Sequence, residues 1–212
     1  MSVAFEVQPN LDQLEDAIAL FEFIGGNSAN AVRVAINKTG PKIRTISNRE
    51  IRNQVRLKAS YVNQNLKFTK ATNQRLSGAI RTPTRGILMS RYSTDTKISG
   101  EKVSWIKPPP VPPRGIKVKI KPNRPPKLVS GDEETVGKPW YLVLRGTGGR
   151  VGIAARRATP GPRGGKVKVF HSPSLSQVFE DVKDDVSPEA GEEYTRQLAD
   201  AMRFLLNKQQ PR

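Results

Sequence analysis

The chain has 212 residues, with 36 Lys/Arg against 19 Asp/Glu for a formal net charge of +17, and 17 each of glycine and proline. It has no cysteine, which excludes a disulfide framework, a thiolate metal site and a cysteine nucleophile. No apolar run approaches the ~18 residues of a membrane span. MSVAFEVQPN lacks a basic segment followed by an apolar one, so a soluble protein without a recognisable export signal is expected. The length allows a single domain over 1–212, and the low hydrophobic fraction of 36% predicts extensive loops and arms. The charge is uneven: residues 31–130 hold 23 Lys/Arg against 3 Asp/Glu, a net of +20, leaving 13 against 16, a net of −3, for the rest. Such asymmetry points to nucleic acid, an acidic neighbour, or both.

Residues 10–70 read as helical. Leu11, Leu14, Ile18 and Phe21 follow helical spacing after Asn10, with Asp12, Glu15, Asp16 and Glu22 outward and Gly25–Gly26 as the stop. Ser28 is expected to cap a second helix with Val32 and Ile36 inward, broken near Gly40–Pro41, although one bent helix to Arg56 is also compatible. In Ile46–Lys67 the Ser47/Glu50 spacing resembles a capping box, with Ile46 and Ile51 as its staple. Ile51, Val55, Ala59, Val62 and Leu66 then form an apolar stripe, leaving Arg49, Arg52 and Arg56 towards water or an anionic partner.

Residues 76–171 read as strand-rich. AIRTPTRGILMSRY suggests an irregular hairpin or edge strand, and WIKPPPVPPR (105–114) an extended polyproline arm. In GIKVKIKP, Ile116, Val118 and Ile120 alternate with Lys117, Lys119 and Lys121, and a flexible loop is expected over 121–139. WYLVLRGTGGRVGIAARR reads as two strands around a Gly-rich turn, and KVKVFHS as another with Val167 and Val169 inward. Helices return over 174–207. Leu175, Val178, Val182 and Val186 point inward, Ser187–Pro188 starts a new helix, and Tyr194, Leu198, Ala201 and Leu205 line its inner face. The order predicts an α+β fold: an antiparallel sheet of four to six strands packed by N-terminal and C-terminal helices, with an extended Pro-rich arm.

Motifs for chemistry fail on context. Gly146, Gly148, Gly149 and Gly152 open no helix and precede no Gly-Lys-Ser/Thr triplet, so they read as a hairpin turn and not a phosphate cradle. His171 is the only histidine and has no second histidine to share a metal; a triad built on adjacent Ser172 lacks convergence. The acids of 180–193 lack the loop spacing of a calcium site. No catalytic, metal or cofactor residues are expected. Pro109, Pro112 and Arg114 fit a P-x-x-P-x-R docking pattern, but five crowded prolines make that match nearly automatic, and a stiff arm for docking a neighbouring subunit is the better reading. Aromatics at 6% do not interleave with the basic run, so non-specific contact with phosphates is favoured over base reading.

AINKTGPKIRT, EIRNQVRLKASYVNQNLKFTKAT, LSGAIRTPTRGILMSRY, GIKVKIKP and VFHSPSLSQVFEDV, in this order over about residues 29–186, resemble the minor tail protein Z family of tailed bacteriophages and prophages. Family members commonly have Gly-Pro-Ser where this chain has Ser172-Pro173-Ser174. The resemblance implies a non-enzymatic virion protein, assembled in the host cytoplasm, that completes the head-proximal end of the tail and helps join it to the head. Implied partners are further copies in a ring, expected to be a hexamer, tail terminator or tail tube proteins, head-completion (connector) proteins and packaged double-stranded DNA, with no membrane. In such a ring Arg49, Arg52, Arg56, Lys117, Lys119 and Lys121 are candidates to face the lumen or DNA. Pro109, Pro112, Arg114, Glu180, Asp184 and Asp185 are candidates for contacts between subunits. The alternative is a cytoplasmic protein that binds nucleic acid non-specifically.

Overall fold

A computed structural model describes residues 4–6, 28–95, 98, 107–144, 149–161 and 164–209. The expected helix over residues 11–24, the Gly146–Gly148 part of the hairpin turn and residues 105–106 of the arm lie outside them. The chain divides into two compact units, the first drawn from Met1–Ile51, Ala59–Thr84 and Ser176–Arg212, the second from Arg52–Lys58 and Arg85–Leu175. The class is α+β, and among the described residues the strands are divided among four small antiparallel sheets rather than gathered in one.

Unit 1 is built on two long helices, α1 (Ser28–Gln54) and α3 (Leu175–Gln209), with the short α2 (Ala59–Asn65) between them in sequence. The break expected at Gly40–Pro41 does not occur: α1 runs straight through both residues. Its buried face recurs every four residues as Ala31, Ala35, Thr39, Ile43, Ser47 and Ile51. That continuous stripe supplies the burial that outweighs the roughly 3 kcal/mol helix penalty of an interior proline. Ser47 is therefore a buried mid-helix residue and not a cap, and Thr45 Oγ1 donates to the carbonyl of Pro41 at 3.1 Å.

The same correction applies to Ser187–Pro188, which lies inside α3. Ser187 Oγ donates back to the carbonyl of Lys183 at 3.0 Å, a bond made inside a helix and not at its start. Ala31 packs with Ala201 and Met202, while Ala35 and Ile36 pack with Tyr194. The two helices therefore lie antiparallel.

Asn37 clips α1 to the loop that begins at Lys70: its Nδ2 donates to the carbonyl of Ala71 at 3.0 Å, and its Oδ1 accepts from the Ala71 amide at 2.8 Å. The three strands β1 (Ala4–Glu6), β2 (Lys67–Thr69) and β3 (Ala79–Arg81) form one antiparallel sheet in the order β1-β3-β2. Phe68 projects from β2 towards two glycines. A methyl on Gly40 would stand 2.1 Å from the ring, and one on Gly78 would stand 2.9 Å from it. Both glycines are there for close approach.

Unit 2 carries the remaining strands. The Ala79–Leu88 region is not a hairpin: β3 stays in unit 1, while β4 (Gly86–Leu88) pairs with β10 (His171–Ser174). β5 (Lys117–Val118) pairs with β6 (Lys127–Leu128), which falls inside the stretch expected to be loop. β7 (Thr135–Leu144), β8 (Arg150–Arg157) and β9 (Val167–Val169) form a meander, with a register shift in β7 between Val136 and Trp140. As the central strand, β8 is buried from Val151 to Ala155. Its edge partner β9 exposes Val167 and half-buries Val169, so only part of the expected inward face is covered. Ser90, fully buried in the 3-10 turn Met89–Tyr92, donates its hydroxyl to the carbonyl of Val151 at 2.5 Å.

Candidate interaction surfaces

In unit 1 several charges pair with one another. Glu193 of α3 accepts from Lys42 of α1 at 2.6 Å, and from Arg196 at 2.5 Å and Gln197 at 2.8 Å on its own helix. Burial pushes this carboxyl up, but the three donors more than offset that and hold it at about 2. Arg49 lies between Glu50 and Glu189, at 2.7 Å from each, and both carboxylates raise its pKa. The geometry makes Arg49 a tie between α1 and α3. Glu180 pairs with Lys183 one turn on along α3. Asp184 and Asp185 are exposed and hold no ion pair among the described residues.

Unit 2 is different. Its segments, Arg52–Lys58 and Arg85–Leu175, contain 22 Lys/Arg against 5 Asp/Glu, a net of +17, whereas unit 1 has 14 against 14, a net of zero. Two of those acids pair with cations of the same unit: Lys168 reaches Asp132 at 2.5 Å and Glu134 at 3.0 Å, and Arg157 reaches Glu134 at 3.4 Å. The bond from Lys168 lowers the pKa of Asp132, and the two carboxylates raise that of Lys168.

The lysine row of GIKVKIKP divides. Ile116 and Val118 are buried as the alternation predicts, with Lys117 exposed and Lys119 half-buried. Lys121 leaves the row and joins Arg124 and Lys127 around a cleft of about 190 Å³, with Val118, Ile120 and Pro125 completing the lining. The frame under this cleft is tied on three sides. The Lys119 amide donates to the carbonyl of Tyr92 at 2.8 Å, that of Val129 to Ile116 at 2.8 Å, and that of Arg56 to Ile120 at 2.7 Å. Arg52 and Arg56 are both exposed, and Arg56 is thereby held beside the cleft.

The described part of the Pro-rich stretch, residues 107–114, has neither helix nor strand, and the Gly115 amide closes a turn on the carbonyl of Pro112 at 2.8 Å. Pro112 and Arg114 line a second cleft of about 430 Å³ with Leu128 and Pro139, while Pro109 is half-buried outside it. Val111 and Leu128 are exposed on its lining.

Among the described residues no group of three His, Cys, Asp or Glu side chains is placed to hold a metal ion, and no helix is long and apolar enough to cross a membrane. The chain matches the family described as prophage minor tail protein Z over residues 11–210. It belongs to that family. This minor tail protein is thus a structural component of a phage tail. No curated protein and no solved structure matches it. For the tail protein the charge map is sharper than sequence reading allowed. Arg124 and Lys127 stand in the stretch read as flexible loop, and the proline pair at 125–126 between two basic residues was the available signal. The Lys42–Glu193 tie had no signal, because its partners lie on helices far apart in sequence.

Proposed function

We propose that this tail protein completes the head-proximal end of the tail and takes part in joining it to the head, as a ring-forming subunit around the path of the packaged DNA. Its partners are further copies of itself, six in the expected ring, the tail terminator or tail tube on one side and the head-completion proteins on the other. It works through interfaces and carries out no reaction. The supporting observation is the charge partition: unit 2 carries the whole net charge of +17 and unit 1 is balanced. Repeated around a ring, one strongly basic unit per subunit concentrates positive potential without reading sequence, which suits DNA that must pass through. The exposed apolar residues around the Pro112–Arg114 cleft, together with Asp184 and Asp185, offer surface for contacts between subunits.

Electron microscopy of the purified protein, and of virions lacking it, tests this. Rings, and heads unjoined from tails, are the expected images. A monomer that is absent from mature particles and turns over a substrate overturns the proposal. The same charge partition also fits a cytoplasmic protein binding nucleic acid non-specifically; such a protein would be missing from particles.

A further inference from the structure

We propose that the cleft framed by β5, β6 and the turn between them is a binding surface for the phosphate backbone of duplex DNA, with Lys121, Arg124 and Lys127 as its contacts and Arg56 beside them. This deepens the preceding proposal and rests on it for the choice of double-stranded DNA as the polyanion. The surface itself follows from three observations. Lys121, Arg124 and Lys127 converge on one cleft although they are spread along a turn. None of the three, nor Arg56, has an ion-pair partner among the described residues, in contrast to Lys168 and Arg157 in the same unit. The supporting strand is fixed by backbone bonds to Tyr92, Val129 and Arg56, so the cations are held on an ordered frame.

Charge bookkeeping selects the partner. A second copy would present a unit 1 with a net charge of zero, so self-association leaves +17 per subunit without counter-charge. The exposed acids of α3 with no ion pair among the described residues, Asp181, Asp184, Asp185, Glu192 and Asp200, could offset only five of those charges. A phosphate backbone, with one negative charge per about 1.7 Å of duplex, supplies counter-charge at the required density. The cleft offers cations and an apolar lining but no aromatic platform, so it grips backbone and does not stack bases.

The test is fluorescence anisotropy of the full chain with a labelled 20-base-pair duplex between 50 and 200 mM salt. Four phosphate contacts give a slope of log K against log salt of about −3.6, or about a 150-fold loss across that range. The variant Lys121→Ala/Arg124→Ala/Lys127→Ala should fall to a slope near −0.9, about a 3.5-fold loss. A second variant, Arg85→Ala/Lys138→Ala/Lys166→Ala, removes the same charge from exposed positions outside the cleft and should keep the wild-type slope. Matched circular dichroism of the three proteins removes misfolding as a cause. Equal slopes for the two variants, no binding by the wild type at 50 mM salt, or equally strong competition by polyglutamate and DNA at matched charge each overturn the inference. Failure of the tail-completion reading shows separately, as virions that join heads and tails without this protein.

Discussion

Replacing Glu193 by Gln removes one charge while keeping the shape of the side chain that ties α3 to α1. The side chain is 13% exposed and takes three hydrogen bonds, from Lys42, Arg196 and Gln197. Its pKa falls from an ordinary 4.5 to about 2 in the folded protein. A difference of that size corresponds to at most about 3.4 kcal/mol of pH-dependent stability, at about 1.36 kcal/mol per unit. Lys42 and Arg196 are 48% and 59% exposed, so water screens both cations and about 1–2 kcal/mol is the appropriate expectation. Because the folded pKa is depressed, this stability is fully present above pH 4.5 and is lost as pH falls towards 2. Thermal melts of the full chain followed by circular dichroism at pH 7 and pH 3 provide the assay. At pH 7 Glu193→Gln should melt about 3–6 °C below wild type, and the gap should narrow at pH 3, where the carboxyl of the unfolded chain takes up a proton that the folded one still resists. Equal melting at pH 7, or a gap that stays constant with pH, refutes the ion-tie account.

Gly40→Ala should lower stability by about 1–3 kcal/mol despite alanine's better helix propensity, because its methyl would collide with the Phe68 ring; adding Phe68→Ala should make the glycine change nearly neutral in urea unfolding. Ser90→Ala leaves the buried carbonyl of Val151 without its hydroxyl donor, and should cost about 1–2 kcal/mol in the same assay. Pro188→Ala distinguishes one helix from two: inside a continuous α3 it should raise stability by about 1–2 kcal/mol, whereas a proline opening a new helix would make the change neutral or harmful. A melting temperature at or below wild type would argue for two helices.

Much of unit 2's strand content was legible because it obeys simple alternation. The Ile116/Val118 pattern and the β7–β8 hairpin both survive in the structure, and in α3 the residues Leu175, Val178, Val182, Val186 and Tyr194 are buried as their spacing predicts. What misled was punctuation. Gly40–Pro41 and Ser187–Pro188 look like helix boundaries locally, yet tertiary burial carries both helices through. The true stripe of α1 was hard to see because Thr39 and Ser47, both polar, occupy core positions. Among the candidate interaction residues, periodicity placed Arg49 with Arg52 and Arg56, but Arg49 is held by carboxylates of unit 1. A contact between helices that are distant in sequence leaves no mark on local pattern. The basic cleft escaped for a related reason: its cations come from a turn, where spacing carries no face information.

The interrupted register of β7 bears on how copies of this protein can meet. β7 is an outer strand of its sheet, and between Val136 and Trp140 its ladder slips over Gly137, Lys138 and Pro139. Proline offers no amide there, and an exposed lysine at an outer strand discourages a flat partner. A foreign strand cannot zip along that stretch to lengthen the sheet. The runaway stacking of strands that turns a repeating subunit into fibre is thereby discouraged at that margin.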